Sequence, residues 1–216
     1  MITVWGEGRG FRVVWMLEEM GLPYRLRNVD LLKGVENDTE FLAINPAGFI
    51  PALQDGGMVM VESVAILEYL AARYGPTPLA LGPGDADFGT YLQFLHMGEA
   101  GLAGAAYIST VSRMMAPEGE KDNWGARLGM HIFESRLGLV RRQLERAHYV
   151  AGDRFTAADI SVTYALEFAQ RTAGYTLGEV EAAYVARMTA RDGYALSMDA
   201  CPSTKAWVAG LKAGRG

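Results

Sequence analysis

The sequence predicts an α/β domain of order βαβαββα followed by an all-α C-terminal helical domain. Three observations carry this. Over the first 75 residues, short β-rich runs alternate with runs of helical period, which implies a sheet with a parallel part. A stretch rich in breakers, Gly75-Pro76-Thr77-Pro78 through Gly82-Pro83-Gly84, then interrupts the chain. After Asp85 no alternating stretch of useful length remains, and apolar residues recur at helical spacing. The expected division is a first domain over 1–75, a linker over 76–85 and a helical domain over 86–216.

Taken in order, Ile2-Thr3-Val4-Trp5 alternates and is β-rich, so it reads as a strand. Gly6 to Gly10 is a glycine-rich turn. Phe11, Val14, Trp15 and Leu17 then run at helical spacing to Met20, and Gly21-Leu22-Pro23 stops the helix. Tyr24 to Val29 is a second strand. Residues 31–44 are polar and irregular, with a weak helix near Glu36–Leu42. Ile50–Gln54 and Met58–Val61 flank Asp55-Gly56-Gly57, a hairpin signal. Val64 to Tyr74 is an amphipathic helix with Val64, Leu67, Leu70 and Ala71 on one side.

In the second domain, helices are expected near 86–115, 123–147, 157–171, 178–191 and 202–213. The first of them carries Gly98, Gly101 and Gly104, each costing about 1 kcal/mol of helix propensity. Close approach of another backbone or of a ligand would account for them. Phe155-Thr156-Ala157-Ala158-Asp159-Ile160 reads as a hydrophobic staple and a capping box, a structural motif in which Asp159 bonds back to the Thr156 N–H.

Half of the residues are hydrophobic and 21% are charged, which suits a soluble globule. The net charge of -5, with no basic stripe, argues against nucleic acid as a partner. No segment approaches the ~18 apolar residues of a membrane span, so no membrane partner is expected. The single cysteine, Cys201, rules out an internal disulfide framework. With no basic and apolar leader after Met1, a cytoplasmic location is expected. His96, His131 and His148 are scattered without metal-ligand spacing, so no metal site is read.

The stretch with most chemical content is Asn45-Pro46-Ala47-Gly48-Phe49-Ile50-Pro51-Ala52-Leu53, followed by Glu62-Ser63. Pro51 cannot donate to a sheet ladder, so it belongs at a strand start or a sharp turn. With Pro51 cis, Ile50 turns its N–H and C=O outward, an edge able to pair with another extended backbone. An acid and a hydroxyl at a helix start beside such an edge suggest a site for a small peptide. The alternative for Ser63 is a plain helix N-cap.

These pieces together resemble the cytosolic glutathione transferases. The resemblance rests on Asn45-Pro46-Ala47-Gly48 with Ile50-Pro51, Glu62-Ser63 with Ala65-Ile66, Leu67-Glu68-Tyr69-Leu70, and Ala151-Gly152-Asp153-Arg154-Phe155-Thr156-Ala157-Ala158-Asp159. Trp15-Met16-Leu17-Glu18-Glu19-Met20-Gly21-Leu22-Pro23-Tyr24 is also typical of bacterial members. The resemblance implies a thioredoxin-like first domain that binds glutathione as co-substrate. It implies that Pro51 is the cis proline and that the Ile50 backbone pairs with the cysteinyl part. It further implies that Glu62 and Ser63 hold the γ-glutamyl end. The helical domain would line the pocket for a small hydrophobic electrophile, with Tyr107, Met114 and Met115 as lining residues. A homodimer is implied as well.

The sequence departs from the family pattern in two places. The family activates the thiol with a Ser, Cys or Tyr at the end of the first strand or in the turn after it. Here the matching positions are Glu7 or Gly8. Lowering a thiol pKa by ~2 units needs ~2.7 kcal/mol of differential stabilisation. A helix N-terminus supplies ~0.3–1 kcal/mol, up to ~2 when partly buried. The expected substitute is therefore the Gly8–Gly10 backbone, as an anion-binding nest, with Arg9 adding a charge. Arg9 read as a solvated turn residue is the competing view. Arg12 reads as a surface charge or a partner for an acid. Glu7 would oppose a thiolate if it pointed inward. The second departure is Phe49, where many members carry a basic residue; Lys33 is the expected replacement. A glutathione-binding carrier or protein-interaction module with little transferase activity is the alternative reading.

Overall fold

In the computed structural model, which describes residues 1–213, the alternating run Ile2–Trp5 forms strand β1. It pairs in parallel with β2 (Tyr24–Arg27) and antiparallel with β3 (Ala52–Asp55). Strand β4 (Met58–Val61) closes the expected hairpin against β3, giving the sheet order β2-β1-β3-β4. Helices α1 (Phe11–Met20), α2 (Thr39–Ile44) and α3 (Ser63–Tyr74) complete the expected βαβαββα order. Helix α1 buries all of Phe11 to Leu17, and α3 is tied to β3 by Tyr69 and Tyr74, which both donate to Asp55 at 2.9 and 2.5 Å.

Helix α2 sits later than the weak helix read near Glu36–Leu42. Leu31–Lys33 and Val35–Asn37 are short 3-10 turns. Asp38 is the N-cap that starts α2, accepting the Phe41 N–H at 3.0 Å. Arg27, at the end of β2, lies 5.4 Å over the Trp5 ring and forks onto the same Asp38 carboxylate. The cap is therefore fixed from the sheet. Beneath it, Trp5, Val29, Phe41 and Ala52 form an apolar cluster that also takes in Ile50.

The chain divides into two compact units. One is Met1–Thr77 together with the chain from Ala190 onward; the other is Pro78–Thr189. This grouping runs differently from the division of the sequence, which keeps 86–216 together. The first unit includes α9 (Asp192–Ala200), a helix absent from the sequence reading, and α10 (Pro202–Ala213). Helix α9 faces α1 through Tyr194, edge-on to Phe11 and Trp15 with ring centroids 5.4 and 5.0 Å away. Arg191 forks onto Glu19 at 2.8 and 2.7 Å.

The second unit contains α4 (Phe88–His96), α5 (Gly104–Met115), α6 (Trp124–Leu144), α7 (Ala157–Thr172) and α8 (Glu179–Thr189). The expected long helix over 86–115 is interrupted: Met97–Ala103 is π-helical. Within it, a Cβ on Gly98 would lie 2.6 and 2.7 Å from the carbonyl carbon and oxygen of Ser161 on α7. That close approach explains the glycine. Helix α7 buries every residue from Ala157 to Ala169, as a central helix must. It starts at the expected capping box: Ala158 N–H donates to Thr156 Oγ1 at 3.3 Å, and Thr156 N–H to Asp159 Oδ2 at 2.9 Å. Among the described residues, no helix is long and apolar enough to cross a membrane.

Candidate functional site

The loop before β3 is shaped by Asn45. Its side chain is buried, donating to the Phe49 carbonyl at 2.7 Å and accepting the Ala47 N–H at 3.1 Å. The Gly48 N–H closes the turn on the Asn45 carbonyl at 3.0 Å. The chain then enters Ile50-Pro51, whose peptide bond is cis. The ladder begins only at Ala52, and among the described residues no hydrogen bond takes up the Ile50 N–H or C=O.

The turn after β1 packs directly on this loop. Gly6 has φ +85°, and a Cβ there would lie 2.7 Å from Ile50 Cβ, so only glycine fits. Cβ atoms on Gly8 and Gly10 would stand 3.4 Å from Ile50 Cδ1 and 3.3 Å from Pro51 Cβ. Gly8–Gly10 is a 3-10 turn leading into α1, and its first N–H, on Gly8, makes no hydrogen bond among the described residues. Arg9 is half-buried.

Glu7, in the same turn, is buried. Its carboxylate accepts the Ser203 N–H at 3.2 Å, the Thr204 N–H at 2.7 Å and the Thr204 hydroxyl at 3.0 Å. It thus caps α10 from 197 residues away in sequence.

Glu62 and Ser63 stand where β4 passes into α3. Glu62 is exposed and, among the described residues, is the one non-glycine with positive φ (70°). Such a conformation costs on the order of 1–3 kcal/mol and is characteristic of sites where geometry serves function. Ser63 is buried, and no side-chain cap bond forms at the start of α3, so the plain N-cap reading fails. Instead Ser63 Oγ accepts a hydrogen bond from Arg12 Nη1 at 3.2 Å. Arg12 is fully buried, which overturns the surface-charge reading. A guanidinium beside a helix N-terminus places positive potential at Ser63, and the Ser63 hydroxyl hydrogen remains to be donated to an anion.

Lys33 is exposed, ion-pairs with Asp30 at 3.5 Å, and lines a surface cavity of ≈ 410 Å³ with Arg27, Asn37, Asp38 and Glu40 among others. Phe49 is 40% exposed. Tyr107, Met114 and Met115 lie on α5 of the second unit, all with exposed side chains. Cys201, just before α10 as expected, is fully buried; burial first, then the negative Glu7 and Glu18, push its thiol up to about 12. The roles of Arg12 and Glu7 escape sequence reasoning because their partners lie 51 and 197 residues away.

A family model described as "Glutathione S-transferase, N-terminal domain" matches residues 2–72. Glutathione S-transferase 3 of Schizosaccharomyces pombe is 30% identical over 177 residues, covering 76% of this chain and 71% of that protein. The chain belongs to the glutathione S-transferase family. Glutathione S-transferase 3 of Zea mays is 33% identical over 150 residues, 68% of each chain. Among solved structures, glutathione transferase URE2P6 of Phanerochaete chrysosporium, in complex with oxidized glutathione, superposes with a TM-score of 0.78. It is 25% identical and covers 92% of this chain and 94% of that one.

Proposed function

We propose that the protein joins the thiolate sulfur of glutathione to an apolar electrophile: a sulfur–carbon bond forms, and in a substitution the leaving group departs with its electron pair. The observation that carries this is the packing of the Gly6–Gly10 turn on Ile50-Pro51. It brings the unpaired Gly8 N–H next to the unpaired Ile50 backbone. In this reading Ile50 holds the cysteinyl backbone of glutathione, with Pro51 shaping the edge. Ser63, backed by Arg12, donates to the γ-glutamyl carboxylate, and exposed Glu62 takes the ammonium. Lys33, whose exposed pair with Asp30 is weak, replaces the base missing at Phe49.

The thiol is then bound next to Gly8, whose open N–H stabilises the thiolate, with Arg9 adding charge, while the Gly10 N–H, given to the Glu7 carbonyl at 2.9 Å, holds the turn in shape. Catalysis comes from that stabilisation and from holding two reactants together. Tyr107, Met114 and Met115 line the apolar electrophile pocket, for which flexible methionines are suited. The working assembly is a homodimer in the cytoplasm.

One observation favours a second reading. The first turn offers no hydroxyl or thiol, and the one carboxylate in it is spent on α10. A glutathione carrier needs only the binding half of the site. Calorimetric titration with glutathione, together with a chlorinated-arene conjugation assay, separates the two. The transferase reading expects binding and turnover, with turnover reduced in Arg9→Ala. Binding without turnover supports the carrier, and no binding refutes both. Unchanged rate and thiol pKa in Arg9→Ala remove Arg9 from the mechanism.

A further inference from the structure

We propose that Glu7 is a positioning residue that holds the thiol-activating turn from behind. The inference rests on the transferase reading and deepens it. With no hydroxyl or thiol in the turn, stabilisation of sulfur falls chiefly to the open Gly8 N–H, which is effective only when held in place. Yet Gly6, Gly8 and Gly10 make up three of five turn residues, and glycine loses more freedom on ordering than any other residue. Something must fix them.

On one side Ile50 and Pro51 fill the space against the glycines. On the other, Glu7 ties the turn to α10. Its two carboxylate oxygens take three donors: Ser203 N–H, Thr204 N–H and the Thr204 hydroxyl. Two of these are otherwise unpaired N–H groups of a helix start, where a negative charge is favoured. The Glu7 carbonyl meanwhile accepts the Gly10 N–H at 2.9 Å. One residue thus anchors the turn through side chain and backbone together. The same geometry removes a hazard. A carboxylate engaged by α10 does not face the sulfur, where it would raise the thiol pKa.

The test uses the full chain and the variants Glu7→Ala, Glu7→Gln and Thr204→Val. Thr204→Val removes the hydroxyl donor to Glu7 without substituting any residue of the turn or any proposed ligand contact. Four quantities are read: exchange of the hydrogen-bonded Gly10 amide without ligand, glutathione affinity, the pKa of the bound thiol, and kcat for conjugation. In Glu7→Ala the Gly10 amide should exchange about tenfold faster or more. Glutathione affinity should stay within about threefold, while the bound thiol pKa rises by about one pH unit and kcat falls ten- to a hundredfold. Glu7→Gln and Thr204→Val should move the same quantities in the same direction by less. Should Glu7→Ala not fold, those two variants decide. A lower melting temperature with unchanged exchange, thiol pKa and kcat overturns the proposal and leaves Glu7 a helix cap. If the wild type fails to bind glutathione, the transferase reading falls, and the amide exchange still decides whether Glu7 holds the turn.

Discussion

Ser63 gains its meaning from Arg12. A serine at a helix start is an ordinary cap, but here its oxygen already accepts from a fully buried guanidinium and its hydrogen is left to give. A hydrogen bond to a charged group contributes about 1.5–3 kcal/mol. Ser63→Ala should therefore weaken glutathione binding by roughly ten- to a hundredfold, measured by calorimetry; an unchanged affinity removes Ser63 from the site. Cys201 makes the opposite prediction. Buried, with its thiol pushed up to about 12, it should resist thiol-reactive probes in the native protein at pH 8 and react only in denaturant. Stoichiometric labelling of the native chain would show the burial to be wrong. At this scale the sequence displayed Pro51 and Glu62-Ser63, because their chemistry is local. It hid Arg12 and Glu7, whose hydrogen-bond partners come from distant segments.

Helix α7 shows what an element needs from its start. Asp159 accepts the Val150 and Thr156 N–H groups at 3.0 and 2.9 Å and the Tyr184 hydroxyl at 2.9 Å. Asp159→Ala orphans these buried donors and should cost about 2–4 kcal/mol in denaturant unfolding. Burial outweighs those hydrogen bonds and raises the Asp159 pKa from 3.8 to about 6. The folded state therefore binds the proton more tightly than the unfolded state. The stability this contributes is full below about pH 3.8 and is lost as pH rises through about 6. Between pH 4 and 7, wild type should lose on the order of 2–3 kcal/mol relative to Asp159→Asn. A difference independent of pH would contradict the buried titration. Gly98→Ala should destabilise by about 1–3 kcal/mol through overpacking against the Ser161 backbone. The capping box of α7 and the glycines Gly98, Gly101 and Gly104 were legible because both are local signals. The π-helical stretch and α9 were not. Helix α9 buries Gly193, Tyr194 and Ser197 while leaving Leu196 exposed, so its apolar residues trace no face.

For the molecule as a whole, the order of strands and helices and the motifs at residues 45–63 were enough to indicate the family. The grouping of α9 and α10 with the first unit was not, since it depends on side chains that meet from opposite ends of the chain, Arg191 with Glu19 and Glu7 with Thr204. Those pairings bear on function. The second ties the first turn, which offers no hydroxyl or thiol, to the last described helix. In the proposed mechanism, the Gly8 N–H, kept in place by packing on Ile50-Pro51 and by Glu7, does the work of a thiol-activating side chain. The most direct test is a pH titration of the glutathione complex, following thiolate absorbance under saturating protein. The expected result is an apparent thiol pKa at least about one unit below the free value of ~8.5. A pKa equal to that of free glutathione, with binding intact, would contradict the mechanism.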